Sequence, residues 1–138
     1  MIKPLIATDI REVSPLVLAY IGDSVYELYA RCHASTHGAG NNNKLHKDTV
    51  HYVSAQAQAN SIRKLMGELT EEEEDYFRRG KNSNPHAVSK NASHVDYLYA
   101  TGFEALIGFL FLDNQEQRME YLILKSFEIT DGGSSEQR

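Results

Sequence analysis

Residues 93–112 of this chain read SHVDYLYATGFEALIGFLFL, and they decide its fold. Ser93 and Asp96 have the spacing of a capping box, in which two side chains satisfy free amides at the start of a helix. Apolar residues then follow at every angle around the predicted helix, so this helix has to be buried on nearly all sides. The segment therefore predicts a buried core helix.

Start and stop signals predict four further helices, and nothing in the sequence predicts a strand. Ser14 and Pro15 suit the cap and the first position of a helix, Thr70 with Glu73 forms a second capping box, and Asn114 is expected to cap the last helix. The fold class is therefore all-α. The predicted helices cover residues 14–34, 41–67, 70–80 and 114–127. The expected organisation is a lead-in over residues 1–14, one helical domain over 15–128 and a disordered tail over 129–138.

Composition favours a single domain in a reducing compartment. The chain has 138 residues and one cysteine, so no disulfide can form within it. Cys32 falls in a helical pattern and is expected to be a small packed residue. No signal peptide opens the chain, and the densest apolar stretch, residues 105–112, is too short to span a bilayer. We expect a cytoplasmic protein with no membrane partner.

The net charge of −5 argues against a protein that binds nucleic acid through overall positive charge. Positive charge is nevertheless concentrated in two segments. Residues 76–95 contain no Asp or Glu, and residues 42–67 contain only Asp48. These segments are either solvated polar faces or contacts for an anionic partner. Their basic residues are Lys44, Lys47, Arg63, Lys64, Arg78, Arg79, Lys81 and Lys90.

Two carboxylates occur where a buried acid would be costly. Asp23 lies in the middle of the first predicted helix, and Glu104 lies inside the apolar core helix. A buried carboxylate needs a basic partner or a metal ion. Gly22 disfavours helix and so indicates a close helix crossing beside Asp23. If the two helices pack face to face, both acids converge on one hard cation such as Mg²⁺.

The alternative is that both acids are structural and pair with Lys or Arg. Arg31 lies two turns from Asp23 and, with Glu27, has the i,i+4 spacing of an ordinary helix ion pair. A histidine metal site is not favoured, because the six histidines include no His-Asp doublet and no His-Glu-x-x-His.

Several segments resemble the ribonuclease III family. Residues 20–25, YIGDSV, resemble its signature helix, and residues 103–108, FEALIG, resemble its second acidic helix. The short length, without an appended double-stranded-RNA-binding domain, resembles the Mini-ribonuclease III branch. Three further segments also resemble that branch: NKLHK at 43–47, VSA at 53–55 and RGKN at 79–82.

This resemblance implies an all-helical homodimer that hydrolyses double-stranded RNA with magnesium, for which manganese could substitute. It implies that Asp23 and Glu104 are the catalytic metal ligands. Longer family members carry acids where this chain has Ala19 and Thr101, which leaves the Asp23–Glu104 pair as the minimum site. Glu27 and Thr101 are candidates for orienting outer water molecules.

The resemblance also implies a precursor of 23S ribosomal RNA as substrate and a ribosomal protein as candidate partner. The dimer contact is expected at the end of the first helix and at residues 105–112, which have more apolar surface than one small core requires. An alternative function is a non-catalytic RNA-binding or ribosome-assembly module on the same fold. The residues expected to contact RNA phosphates are Lys44, Lys47, Arg78, Arg79, Lys81 and Lys90.

Overall fold

The computed structural model describes residues 9–36, 40–83 and 92–132. These residues form six α-helices, two short 3-10 turns and no strand, which confirms the all-α prediction. The helices are α1 (Pro15–Ser35), α2 (Asn42–Val53), α3 (Ala55–Leu65), α4 (Glu71–Lys81), α5 (Ala92–Leu112) and α6 (Glu116–Thr130), and the 3-10 turns are Ile10–Glu12 and Met66–Glu68.

Helix α5 lies at the centre of the molecule and packs against α1, α3 and α4. Its apolar segment His94–Leu112 is long enough to cross a membrane and longer than the stretch recognised in the sequence, but 61% of it is buried by the surrounding protein. Residues 105–111 are all buried within the single chain. The predicted dimer contact at residues 105–112 is therefore wrong, because the core of one chain already covers this surface.

Two helix starts form as their sequences predict. The Ser14 hydroxyl accepts a hydrogen bond from the Val17 amide at 3.2 Å, and Pro15 occupies the first helical position of α1. Thr70 and Glu73 form the reciprocal capping box of α4, with distances of 3.1 and 2.9 Å. In both cases, side chains close in sequence satisfy amides that the helix leaves free.

The helix predicted over residues 41–67 is two helices, because Ser54 interrupts it. Ser54 has extended backbone angles, with ψ at 152°, and its hydroxyl accepts from the Ala57 amide at 3.2 Å. Its own amide still donates to the Val50 carbonyl of α2 at 3.0 Å. Ser54 thus ends α2 and caps α3, a role for which serine is well suited.

Asn114 ends α5 instead of starting α6. It has a φ of 61°, in the left-handed region that asparagine tolerates better than most residues. Its amide donates to the Phe111 carbonyl at 3.3 Å, and the Gln115 amide donates to the Leu110 carbonyl at 2.9 Å. This is the Schellman pattern of a helix C-terminus. Helix α6 then extends to Thr130, two residues beyond the predicted end of the domain.

Three smaller predictions are wrong. Cys32 is exposed on α1 and not packed in the core. Ser93 lies inside the first turn of α5 and does not precede it, and Asp96 forms an ion pair with Arg63 at 3.0 Å. Gly80 does not end α4, which continues for one more residue. The predicted lead-in and tail fall partly on residues 1–8 and 133–138, which lie outside the described residues.

Polar contacts attach α6 to the rest of the fold. Arg118 donates to both carboxylate oxygens of Glu73 at 2.9 Å. Burial alone would raise the pKa of Glu73, but the Arg118 guanidinium and the capping hydrogen bonds hold it below its ordinary value. At the other end of α6, Asp131 accepts from Tyr52 and contacts His33 Nε2 at 2.9 Å. Helix α6 is therefore held at both ends.

Candidate active site

Two glycines let α1 and α5 cross at backbone contact. A Cβ atom added at Gly22 would lie 1.9 Å from the carbonyl oxygen of Glu104, and one added at Gly108 would lie 1.9 Å from the carbonyl oxygen of Leu18. No side chain fits at either position unless the two helices separate. The close approach predicted at Gly22 is thus present, and it brings the turn of α1 that carries Asp23 against the turn of α5 that carries Glu104.

Asp23 and Glu104 line one open cleft of about 390 Å³. Helices α1 and α5 supply the two acids, and α3 supplies the facing wall. The cleft is thus an acidic depression with a largely apolar and aromatic rim. Its other lining residues are Leu16, Ala19, Tyr20, Val53, Ala55, Gln58, Tyr97, Ala100 and Thr101.

The two carboxyl groups are close enough to share a proton. Burial and the Asp23 charge raise the pKa of Glu104 to about 8, and a hydrogen bond between the two acids contributes in the same direction. The amide of Gln58 counteracts part of this rise. Like charges that are held together and not neutralised favour a protonated state. The same pair would bind a cation by giving up that proton.

The structure corrects the expectation that both acids are buried. Glu104 is half-buried, whereas Asp23 is exposed at the mouth of the cleft. Among the ion pairs of the described residues, none involves either acid. Arg31, the predicted structural partner, binds Glu27 at 2.6 Å instead. Within the described ranges, the structural-pair alternative therefore lacks the basic partners that it requires.

The two candidates for outer positions differ in location. Thr101 is buried in the cleft wall, and its hydroxyl donates to the Tyr97 carbonyl at 2.9 Å. Ala19 also lines the cleft, so both positions where longer family members carry acids do face the acidic pair. Glu27 does not line the cleft and is held by Arg31.

The donor set fits a hard divalent cation that keeps much of its hydration. In the part of the chain that the structure describes, no three His, Cys, Asp or Glu side chains form a group that could hold a metal. Mg²⁺ is commonly bound by one or two carboxylates, with waters and substrate phosphate oxygens completing its octahedral shell. Two converging carboxylates in a solvent-open cleft meet that requirement.

Two of the predicted RNA-binding residues line a groove next to this cleft. Arg78 and Arg79 line a second groove together with Leu16, which also lines the acidic cleft, so the two depressions adjoin. Asp75 pairs with both arginines and offsets part of their charge. Arg79 also lies over the Tyr76 ring at 4.3 Å.

The other predicted RNA-binding residues are less closely grouped. Lys81 lies near the end of α4, with its Nζ 5.4 Å from the centre of the Tyr99 ring. Lys44 and Lys47 are exposed on α2, and Lys44 pairs with Asp48 at 2.8 Å. Lys90 lies outside the described residues.

Two features of the cleft were not anticipated from the sequence. Tyr20 is on its rim with 79% of its surface exposed. Gln58 is in its wall and almost fully buried. A signal for Gln58 was available, since it precedes Ile62 and Leu65 at i,i+4 and i,i+7 spacing and so occupies the inner stripe of α3.

Comparison with known proteins agrees with this geometry. The ribonuclease III domain family matches residues 16–115. The chain is 42% identical to Mini-ribonuclease 3 of Brevibacillus brevis over 134 residues. This alignment covers 97% of this chain and all of that protein. It is 45% identical to Mini-ribonuclease 3 of Enterococcus faecalis over 117 residues, covering 83% of this chain and 89% of that protein. A protein of Fusobacterium nucleatum with a crystal structure has a TM-score of 0.76 at 30% identity, with 88% of this chain and 98% of that chain covered.

The helical fold is thus that of a ribonuclease III domain. The chain belongs to the ribonuclease III family and, within it, to the Mini-ribonuclease 3 branch. It is an endoribonuclease, and its family acts on double-stranded RNA.

Proposed function

We propose that this endoribonuclease hydrolyses phosphodiester bonds of double-stranded RNA with magnesium held by Asp23 and Glu104. The observation that carries the proposal is the convergence of these two acids in one cleft, where neither has a basic partner among the described residues. Such an arrangement is costly for folding alone, because the two carboxyl groups repel each other when ionised. A cation removes that repulsion.

Magnesium, when bound, supplies an activated water and stabilises negative charge on the departing oxygen. The protein's own part is to hold two oxygen donors at the glycine crossing and to leave the cleft open to the phosphate backbone. Ala19 has no side-chain oxygen and the Thr101 hydroxyl donates to the Tyr97 carbonyl, so Asp23 and Glu104 would be the protein's carboxylate donors, and water and substrate phosphate oxygens would have to supply the others. Manganese, which accepts the same donors, is expected to substitute.

Recognition of the duplex would rest on phosphates and 2′-hydroxyls, because the deep, narrow major groove of RNA hides the base edges from side chains. Arg78 and Arg79 in the adjoining groove support this proposal, since a duplex lying in the cleft would bring its backbone over Leu16 towards them. Lys44, Lys47, Lys81 and Lys90 are proposed as further phosphate contacts.

We further propose that the active form is a homodimer, which would present two acidic clefts to the two strands of one duplex.

The proposed substrate is a 23S ribosomal RNA precursor in the cytoplasm, with a ribosomal protein as candidate partner. This part of the proposal extends the chain's similarity to the Mini-ribonuclease 3 branch. Cleavage of a precursor duplex and of an unrelated duplex of equal length, with and without ribosomal proteins, would test it.

The direct test compares Asp23→Asn and Glu104→Gln with the unaltered protein on a labelled RNA duplex. Both changes keep side-chain size and remove the charge that holds the cation. We expect cleavage to fall by several orders of magnitude in each variant, while duplex binding persists because basic residues provide it. The double variant should be little worse than either single variant, because both acids serve one ion.

The unaltered protein assayed with chelator should match the two variants, and excess manganese should restore part of the activity of one of them. Near-normal cleavage by purified Asp23→Asn protein would contradict the site. Loss of folding in both variants would instead support a structural role for the acids.

A further inference from the structure

The side chain of Gln58 is the least expected group in the wall of the acidic cleft. Only 1% of Gln58 is exposed, and its Nε2 atom has no acceptor at full hydrogen-bonding geometry, although the amide is near enough to the Glu104 carboxyl to counteract part of the rise in its pKa. A buried donor left without an acceptor costs about 1–3 kcal/mol. That cost is removed when a nearby acceptor completes the hydrogen bond.

The surroundings of Gln58 identify that acceptor. Gln58 lines the same cleft as Asp23 and Glu104, and its amide faces the Glu104 carboxyl. Thr101, another polar residue of this wall, already donates its hydroxyl to the Tyr97 carbonyl. The Nε2 atom is closed off from solvent, so Gln58 cannot reach an RNA phosphate directly and would have to act through Glu104.

We propose that Gln58 is a positioning residue for Glu104. The Gln58 Nε2 atom donates a hydrogen bond to one carboxylate oxygen of Glu104 and thereby orients the other oxygen towards the cation. The inference rests on the proposed function, because it requires Glu104 to hold that cation. Groups that orient a metal ligand commonly contribute about 10- to 100-fold to metal affinity. In this chain such support matters more than usual, since only two carboxylates form the site.

The test replaces Gln58 by methionine, which is similar in length and cannot donate. Gln56→Met is the matched control, because Gln56 is on the same helix but exposed. Binding of Mn²⁺ is measured by titration calorimetry without RNA, and the free energy of unfolding is measured in chelator. We expect Gln58→Met to bind Mn²⁺ about 10- to 100-fold more weakly. Its metal-free stability should be equal or higher, because the unpaired donor is gone.

Two further measurements separate positioning from a purely structural role. The Mg²⁺ concentration for half-maximal cleavage should rise in Gln58→Met, with the rate at saturating Mg²⁺ largely kept. In the Glu104→Gln background, Gln58→Met should cause no additional loss of Mn²⁺ affinity, because the two residues act in series.

Wild-type Mn²⁺ affinity in Gln58→Met would overturn this inference alone, and so would an equal loss in Gln56→Met. Should the unaltered protein bind no Mn²⁺ and cut no RNA, the proposed function and this inference would fall together. Should Gln58→Met not fold, Gln58→Leu takes its place with the same expectations.

Discussion

Glu104 is the residue whose chemistry depends most on its neighbours. Its position on α5 places it between a buried helix crossing and the Asp23 carboxyl, and both surroundings penalise its ionised form. Its sequence context predicted burial, and the close crossing indicated by Gly22 allowed Asp23 and Glu104 to converge on one cation if the two helices pack face to face. That Asp23 would be exposed could not be predicted, since exposure depends on how far α3 extends over the cleft.

The raised pKa of Glu104 makes the stability of the metal-free protein depend on pH. Its ordinary pKa of 4.5 rises to about 8 in the folded state, so the folded protein holds a proton that the unfolded chain releases. Its contribution to stability is full below about pH 4.5 and is lost as the pH rises towards 8. In chelator, we expect the free energy of unfolding to decrease across this range by at most about 4 kcal/mol, and by less to the extent that solvent screens the half-buried carboxyl.

Glu104→Gln should remove this part of the pH dependence, because a neutral amide does not titrate. The variant should also be more stable than the unaltered protein near pH 8. Denaturant unfolding at pH 5.5 and pH 8 provides the measurement. An identical pH dependence in the two proteins would show that another group is responsible.

The crossing of α1 on α5 determines where the two acids of the site lie. Gly22 and Gly108 allow backbone contact, and the sequence indicated this at Gly22 because a glycine within a helix needs a reason. The break at Ser54 was not predicted, because the apolar spacing of residues 41–67 continues across it. Ser54 acts as a cap only because α3 must turn to pack on α5, and that requirement is tertiary.

Gly22→Ala should destabilise the protein and weaken cleavage together. The added Cβ would meet the Glu104 carbonyl oxygen at 1.9 Å, and two helix backbones cannot yield as a flexible side chain would. Overpacking of this kind costs about 1–3 kcal/mol or more, and any separation of the helices moves Asp23 away from Glu104. Thermal unfolding and the rate of duplex cleavage are the measurements.

Gly67→Ala is the matched control, because nothing lies within 4 Å of a Cβ added there. It should change the free energy of unfolding by less than about 1 kcal/mol and leave the rate of duplex cleavage nearly unchanged. Equal effects of the two substitutions would mean that the crossing is not the determinant.

For the whole molecule, the apolar surface is distributed differently from the sequence-based expectation. The residues of α5 that were expected at a dimer contact fill the core of one chain. Exposed apolar groups gather instead on the first turns of α1, where Leu16 is 48%, Val17 45% and Tyr20 79% exposed, and continue at Tyr97 on the cleft rim. Which apolar helix would face solvent could not be read from composition, because both α1 and α5 are rich in apolar residues.

The proposed homodimer should therefore depend on α1. Val17→Asp places a charge on an exposed apolar part of α1 that does not line the cleft and should give a monomer, because an unpaired charge is costly in an interface. Leu124→Asp is the control, since Leu124 is also exposed (53%) but is on α6. Sedimentation velocity at micromolar concentration distinguishes the two. A dimer that survives the α1 change, or an unaltered protein that is monomeric, would contradict this assignment.

The distribution of charge on the molecule restricts where RNA can bind. The net charge of −5 opposes a polyanion, so we expect a phosphate backbone to bind where basic residues lie beside the acidic cleft. Arg78 and Arg79 are the described basic residues that meet this condition, because their groove shares Leu16 with the cleft. Asp75 prepositions both side chains and leaves the pair with a net positive charge. Each phosphate contact made by these arginines releases a counterion.

Arg78→Gln with Arg79→Gln should weaken duplex binding equally for all RNA sequences and flatten the dependence of log K on log salt by about one per lost contact. Lys125→Gln on α6 is the control, because Lys125 lines neither groove and should leave the slope unchanged. Asp75→Asn should have the opposite effect to the arginine changes and strengthen binding at low salt, since it removes the competing acid. These variants keep Asp23 and Glu104, so cleavage at saturating duplex should remain near that of the unaltered protein. An unchanged salt slope in the double arginine variant would assign this groove to solvent and place the RNA elsewhere on the molecule.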